Sequence, residues 1–509
     1  MLSTCDRILL LNPRDHDTKL DKGKALFALQ RYDEALTFAN ASLNLASNVK
    51  DAMNLKKECL INLGRHAEVI SWCNKILDVD ANDYVAMHDK GVAQMKSDRA
   101  QDAIKTFERA LKSTPEQLPI LESLKEAYKR IQKDDMVIRT CDRIMAMDEK
   151  NKAAHYDKAV ALDRAEKFDE STAAYRMALK YDPSNPDIYY NMAALFLRVG
   201  KPKEAMDYSK QGIAAAPKDQ SLWKIRGDAS YYAKDYEQAV AAYSKAVELD
   251  SNDKSSHVLL GRSLIELKRF EQGLVALENA LKLDPGDGDV WFQKGIALEW
   301  LERIEDSLTS IREAVRTKPT VVEFRVKEGM LLTKLRKPEE ALRAYDEALK
   351  MSPTNLPVLN AKKDLLKTLK RNEEVVIICN QILAVSPKDR DTLLDKGSAS
   401  LFLKMPTEAL VCFNRALEID KDDLDVLELK KLALISMDDP ESVVAVTDHI
   451  LRLSPKNKNA LADRASALDK LGRAEEALKS YESALALDPK DIFLWNRKGL
   501  LFLGAGNPA

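Results

Sequence analysis

Residues 474–502 read AEEALKSYESALALDPKDIFLWNRKGLLF. Two apolar stripes at helical spacing flank Asp488-Pro489. Proline cannot donate the next backbone hydrogen bond and biases its predecessor away from the α region, so one helix stops there and a second begins a few residues on. Counting back from Ala477 in steps of 34 lands on Val443, Ala409, Val375, Ala341 and so on to Ala35, fourteen anchors in all, each of them Ala, Val, Ser or Gly. No insertion or deletion breaks the series, so every connecting loop keeps one length.

With the anchor numbered as position 20 of a repeat, the other positions fall into place. Position 8 is Gly at Gly23, Gly91, Gly227, Gly261, Gly295, Gly329, Gly397 and Gly499. Position 24 is aromatic at Phe107, Tyr175, Tyr243, Tyr345, Phe413 and Tyr481, position 4 is Trp223, Trp291 or Trp495, and position 32 is often Pro. Positions 4, 7, 8 and 11 share one helical face, as do 20, 24, 27 and 28, which makes each repeat two amphipathic helices of roughly 13 residues. One such hairpin cannot bury both apolar faces, so stability must come from stacking neighbours.

This pattern resembles the tetratricopeptide repeat, W-x2-L-G-x2-Y, A-x3-F, P, matched best by Trp495, Lys498, Gly499 and Phe502 and by Ala239, Tyr243 and Ala246. The resemblance covers the whole chain. It implies an all-α fold, a right-handed superhelical α-solenoid of about 15 stacked 34-residue helix-turn-helix repeats, running as one array over residues 1–509.

Composition agrees with an all-helical chain: Gly (17) and Pro (18) are scarce in 509 residues, and aromatics are 6%. Lys plus Arg (79) nearly cancels Asp plus Glu (81), so no global field draws the chain to nucleic acid. The longest apolar runs, such as Val375 to Cys379, fall far short of the roughly 18 residues that cross a bilayer. Six Cys form no disulfide framework, which points to a reducing, cytoplasmic setting.

The repeats divide into two kinds. At anchors 69, 137, 375 and 443, position 8 is Lys (Lys57, Lys125, Lys363, Lys431), position 20 is Val and position 27 is Ile, where the others carry Gly, Ala or Ser. The three positions switch together, and the larger side chains predict helices held further apart. The two kinds alternate over 1–151 and 356–491, small-residue repeats fill 152–355, and 492–509 is a terminal half repeat. Cys5, Cys73, Cys141 and Cys379 all fall at position 24. Successive ones sit two repeats apart, roughly 30 to 40 Å along a stack, far beyond a shared metal site or a disulfide. They read as small buried hydrophobes.

No constellation for catalysis exists: there is no HExxH pair, no P-loop and no GxSxG elbow, and Gly504-Ala505-Gly506 lacks the strand and third Gly of a dinucleotide loop. The reading is a non-catalytic chain with no metal site and no cofactor. Acidic pairs such as Asp134-Asp135 and Asp422-Asp423 sit in inter-helix turns, where carboxylates cap helix starts.

Helix A of the repeat carries a second stripe at positions 2, 5, 9 and 12, with 13 beside it. In the family this stripe lines a groove that binds peptides. Here it presents Tyr156, Tyr190, Lys224, Asp228, Tyr231, Tyr232, Arg262, Phe292 and Trp300, rich in the residue types that anchor interfaces. Groove exposure is expected for Tyr190, Lys224, Arg262 and Phe292, while Tyr232 and Trp300 stay open between groove and packing. Chaperone-binding members clamp a carboxylate with Lys at position 5 and Asn at position 9; no repeat here has that pair. Asp21, Asp89, Asp157, Asp395 and Asp463 recur at position 6, either as an acidic row for basic peptides or as local pairs on a solvated face.

The sequence starts inside helix B and stops after helix A, with apolar ends: Ile8 and Leu10 at one, Phe493, Trp495, Leu500 and Phe502 at the other. Either this is a stretch of a longer protein, or copies join head to tail through these helices into a filament. The expectation overall is a cytoplasmic scaffold gripping a protein or peptide segment chiefly along residues 152–334, with no nucleic-acid partner and no membrane insertion; filament assembly is the alternative.

Overall fold

In the computed structural model the protein is all-α, with 30 helices among the described residues, 1–47 and 49–504. Ala505 and Gly506 of the glycine stretch lie outside the described residues. Helices A begin at residue 16 and every 34 residues thereafter to 492, each 13 residues long. Helices B begin at residue 32 and recur at the same interval to 474. Residues 1–263 and 264–509 are two compact units, and within each the consecutive helices pack on one another as stacked hairpins. No described helix is long and apolar enough to cross a membrane.

The turns explain the constant loop length. Position 15, just past helix A, has a left-handed backbone in every repeat with both helices, with φ between 55° and 73°, and only Gly64, Gly200 and Gly472 supply the residue that favours it. In the first full repeat the N–H of Arg31 returns to the carbonyl of Leu26 at 3.0 Å and that of Gln30 to Phe27 at 2.9 Å. This is the Schellman arrangement, which satisfies the last carbonyls of helix A and fixes the chain's exit. Position 34 begins the next helix A: Asp83, Asn151, Asp219, Asp287 and Asp423 each accept a backbone N–H from its first turn. Asp423 thus caps as expected. Asp134 and Asp135 do not; they lie inside the first turn of the helix Asp134–Met147, where they act on its dipole.

Position 4 ties each repeat to the one before. The indole N–H groups of Trp223, Trp291 and Trp495 donate to the carbonyls of Pro217, Pro285 and Pro489 at 2.9, 2.9 and 3.0 Å. The Tyr189 hydroxyl reaches Pro183 in the same way.

The two kinds of repeat fill one slot differently. In the hairpins of Gly91, Gly227, Gly329 and Gly397 the position 24 ring lies on the bare backbone of position 8: a Cβ on Gly91 would stand 2.3 Å from Phe107, and one on Gly397 would stand 2.4 Å from Phe413. In the lysine hairpins the Lys57, Lys125, Lys363 and Lys431 side chains are buried, 3, 5, 7 and 3% exposed, and position 24 shrinks to Cys73, Cys141, Cys379 or Thr447. The two helices of a lysine hairpin approach one another less closely than those of a glycine hairpin. All six cysteines are buried free thiols, and burial pushes Cys73, Cys141 and Cys379 up to about 12, which keeps them protonated and unreactive.

Candidate interaction site

Each helix A places its stripe residues one or two turns apart, so the stripe of a unit is a ladder with one rung per repeat. In the first unit the rungs at 152, 186 and 220 carry the tyrosines. Tyr190 is 39% exposed, and Tyr232 is 71% exposed. Tyr156 is half-buried; its hydroxyl accepts a hydrogen bond from the Asn191 amide at 2.7 Å, and burial raises its pKa. Asn191, on the next repeat, escaped the sequence reading because position 6 was read only for its acids.

Lys224 and Asp228 share a helix face, but each is engaged elsewhere. Lys224 reaches Asp253 at 3.1 Å, where Gln220 and Ser256 also donate. Burial would raise the Asp253 pKa, yet the hydrogen bonds from Ser256, Lys224 and Gln220 outweigh it and hold the carboxyl at about 2. Asp228 accepts from the Tyr243 hydroxyl at 2.6 Å, and burial raises its pKa against that bond. Tyr231 packs edge-on to Tyr236 with ring centres 5.3 Å apart, and the exposed Arg262 guanidinium lies 6.0 Å from the Tyr231 ring. The first unit therefore presents Tyr190, Tyr232 and Arg262 to solvent over a fixed base of paired polar groups.

In the second unit Trp300 is 66% exposed and its ring stacks parallel on Phe270 at 5.8 Å, so it both packs and presents a face. Phe292 corrects the sequence reading. It is 8% exposed and stacked on Phe324 at 4.6 Å, because an aromatic residue on the next helix A covers it.

The position 6 aspartates correct both readings offered for them. Asp89, Asp157, Asp395 and Asp463 neither line an acidic row nor pair on a solvated face. Each reaches back to the buried lysine of the preceding repeat: Lys57–Asp89 at 2.5 Å, Lys125–Asp157 at 2.5 Å, Lys363–Asp395 at 2.9 Å and Lys431–Asp463 at 2.8 Å. Asp157 also takes Lys129, and Asp395 takes Lys367, on its second oxygen. Burial would raise the Asp89 pKa, but His88 and Lys57 outweigh it and the carboxyl titrates below its usual range. Asp bonding likewise overcomes burial to raise Lys363 and Lys431.

At the ends of the described chain, Leu10 is 81% exposed, and Ile8, Phe493, Trp495 and Leu500 are exposed as well. Phe502 is half-buried, with the Lys498 ammonium 5.9 Å from its ring. Among the described residues no group of three or more His, Cys, Asp or Glu is placed to hold a metal ion.

Stacked 34-residue hairpins with a small residue at position 20 and a ladder on helix A define a repeat-built binding scaffold class. The chain belongs to the tetratricopeptide repeat proteins: the cilia and flagella-associated protein 70 C-terminal domain family matches residues 119–364, and the tetratricopeptide repeat family matches residues 458–501. It is similar to Hsp70-Hsp90 organizing protein 2 of Arabidopsis thaliana, 23% identical over 240 residues covering 45% of this chain and 39% of that protein. It is also similar to small glutamine-rich tetratricopeptide repeat-containing protein 2 of Mycosarcoma maydis, 31% identical over 90 residues, 18% of this chain and 26% of that one. The match thus spans about two-fifths of the length of the Arabidopsis relative. Among solved structures, YrrB, a tetratricopeptide repeat protein with an unusual peptide-binding site, shares 20% identity at a TM-score of 0.34 over 37% of this chain and 98% of its own.

Proposed function

We propose that this protein is a non-catalytic scaffold that holds a peptide or protein segment against the exposed ladder of its helices A, in the cytoplasm. The observation that carries the reading is the exposure of Tyr190 and Tyr232, and of Arg262 over the Tyr231 ring, on helices that bury other faces in the core. Large aromatics left open above a paired polar base suit the anchoring of a partner's side chains. The Arabidopsis relative is named for organizing Hsp70 and Hsp90, which supports a binding role of this general kind.

A photo-reactive amino acid placed at residue 190 or 232 should cross-link a partner that one placed at Val275, exposed on helix B of the repeat 254–287, does not. Mass spectrometry of the adduct names the segment. Tyr190→Ala with Tyr232→Ala should then abolish its binding while the helical circular dichroism stays unchanged; undiminished binding sinks the proposal. A second reading, head-to-tail self-association, is favoured by the open apolar side chains of Ile8, Leu10, Phe493, Trp495 and Leu500. Sedimentation decides it: mass that grows with concentration supports assembly, and constant monomer mass removes it.

A further inference from the structure

We infer that the buried Lys–Asp pairs are register keys: each lysine hairpin accepts as its next neighbour only a repeat with aspartate at position 6. The geometry recurs at four junctions, two in each unit, always between position 8 of one repeat and position 6 of the next. The sequence obeys the same rule in reverse. Wherever position 8 of the preceding repeat is present in the chain and is not lysine, position 6 is never a carboxylate; it is neutral, as at Leu55, Ser123, Asn191 and Leu429, or basic, as at Lys327 and Arg497. The fifth position 6 aspartate, Asp21, follows the helix of Cys5, which has the lysine-type residue at position 24.

The physical need for a key comes from the repetition itself. Hairpins of one length and one apolar pattern can stack on the wrong neighbour, by skipping a repeat or by joining a second molecule, with little loss of apolar burial. A lysine ammonium held at 3 to 7% exposure opposes this, because the neighbour reached by skipping one repeat offers Ser123, Asn191, Leu429 or Arg497 where the carboxylate must be. Alignment selection of this sort is the best-attested use of a buried polar pair. The junction at Lys431 is the least strict of the four, since Glu428 on its own helix lies 2.6 Å away as a second acceptor. Among the described residues the only carboxylate in ion-pair range of Lys57 is Asp89, which also has His88 beside it at 3.5 Å, so this key is the one to test.

The full chain is unfolded in urea, refolded by dilution, and mapped by hydrogen exchange with mass spectrometry. Lys57→Met and Asp89→Leu alone should each lower the unfolding midpoint. Together they should restore it, yet yield a mixed refolded product in which a several-fold larger share of molecules lacks protection over residues 50–117 or forms dimers. A double variant that refolds to one species with native protection overturns the proposal, as does one that stays as unstable as the singles, since the pair would then be a plain stabiliser. A decoy variant keeps both members of the pair: Ser123→Asp puts a carboxylate in place of the hydroxyl 3.1 Å from His88 and offers the Lys57 ammonium the carboxylate of a skipped repeat. Mixed refolding of Ser123→Asp supports the key, and refolding identical to the parent chain refutes it.

Discussion

Hairpins 50–83 and 84–117 are adjacent, equally long and similar in backbone, yet their cores are solved from opposite sides. In 84–117 the bulk comes from helix B, where Phe107 lies over the bare backbone of Gly91. In 50–83 it comes from helix A, where position 8 is the buried Lys57 and position 24 only the buried Cys73. The exchange keeps volume roughly constant, which a packed core requires. It does not keep charge constant. A lysine stem brings an ammonium, and that ammonium makes the second solution depend on the repeat that follows.

The strongest way to break the comparison is Asp89→Leu, which strands the buried Lys57. A loss of about 3–5 kcal/mol is expected in urea unfolding. In a small-residue setting position 6 has only a neutral partner, so Asn191→Leu, which strands the half-buried Tyr156 hydroxyl and no charge, should cost far less. Next comes Gly91→Ala, whose Cβ would stand 2.3 Å from the Phe107 ring and should cost about 1–3 kcal/mol. Converting that hairpin to the other solution, with Gly91→Lys, Phe107→Cys and Ser123→Asp together, should recover part of the loss.

A smaller effect tests what the two kinds share. Both turn through a left-handed residue at position 15, so Gln132→Gly in a lysine hairpin and Lys234→Gly in a glycine hairpin should each stabilise by about 1 kcal/mol. Smallest is the response to acid. The Asp89 pKa is depressed in the folded state, so its contribution is fully present above the usual carboxylate range and lost as pH falls through the depressed value. Hydrogen exchange over 50–117 should rise in that acid window in the parent chain, and not in Lys57→Met/Asp89→Leu.

The succession of paired helices was legible because nothing interrupts the 34-residue count, and the thiols at position 24 were legible as core because position 24 is always core. The Lys–Asp pairs were not. Their members lie 32 residues apart on different repeats, and reading position 6 by its own helix puts it on the open side. Phe292 was misplaced for the same reason: whether position 5 is open depends on its neighbour, and Phe324 closes it. Single-helix periodicity sees a face but not what stands opposite. At Tyr190 the residue corresponding to Phe324 is Leu222, and the tyrosine stays 39% exposed.

The coupling between neighbours also bears on how such a chain can gain or lose length by recombination. Removing one repeat, 84–117, would bring Lys57 against Ser123 and strand it, while removing 50–83 would set Asp89 behind Gly23 with no cation to meet. Removing two at once, 84–151, joins Lys57 to Asp157 and leaves no charge alone. In the alternating stretches the heritable module is therefore the pair of hairpins, and a library of shortened or lengthened chains built in steps of two should yield more folded members than one built in steps of one.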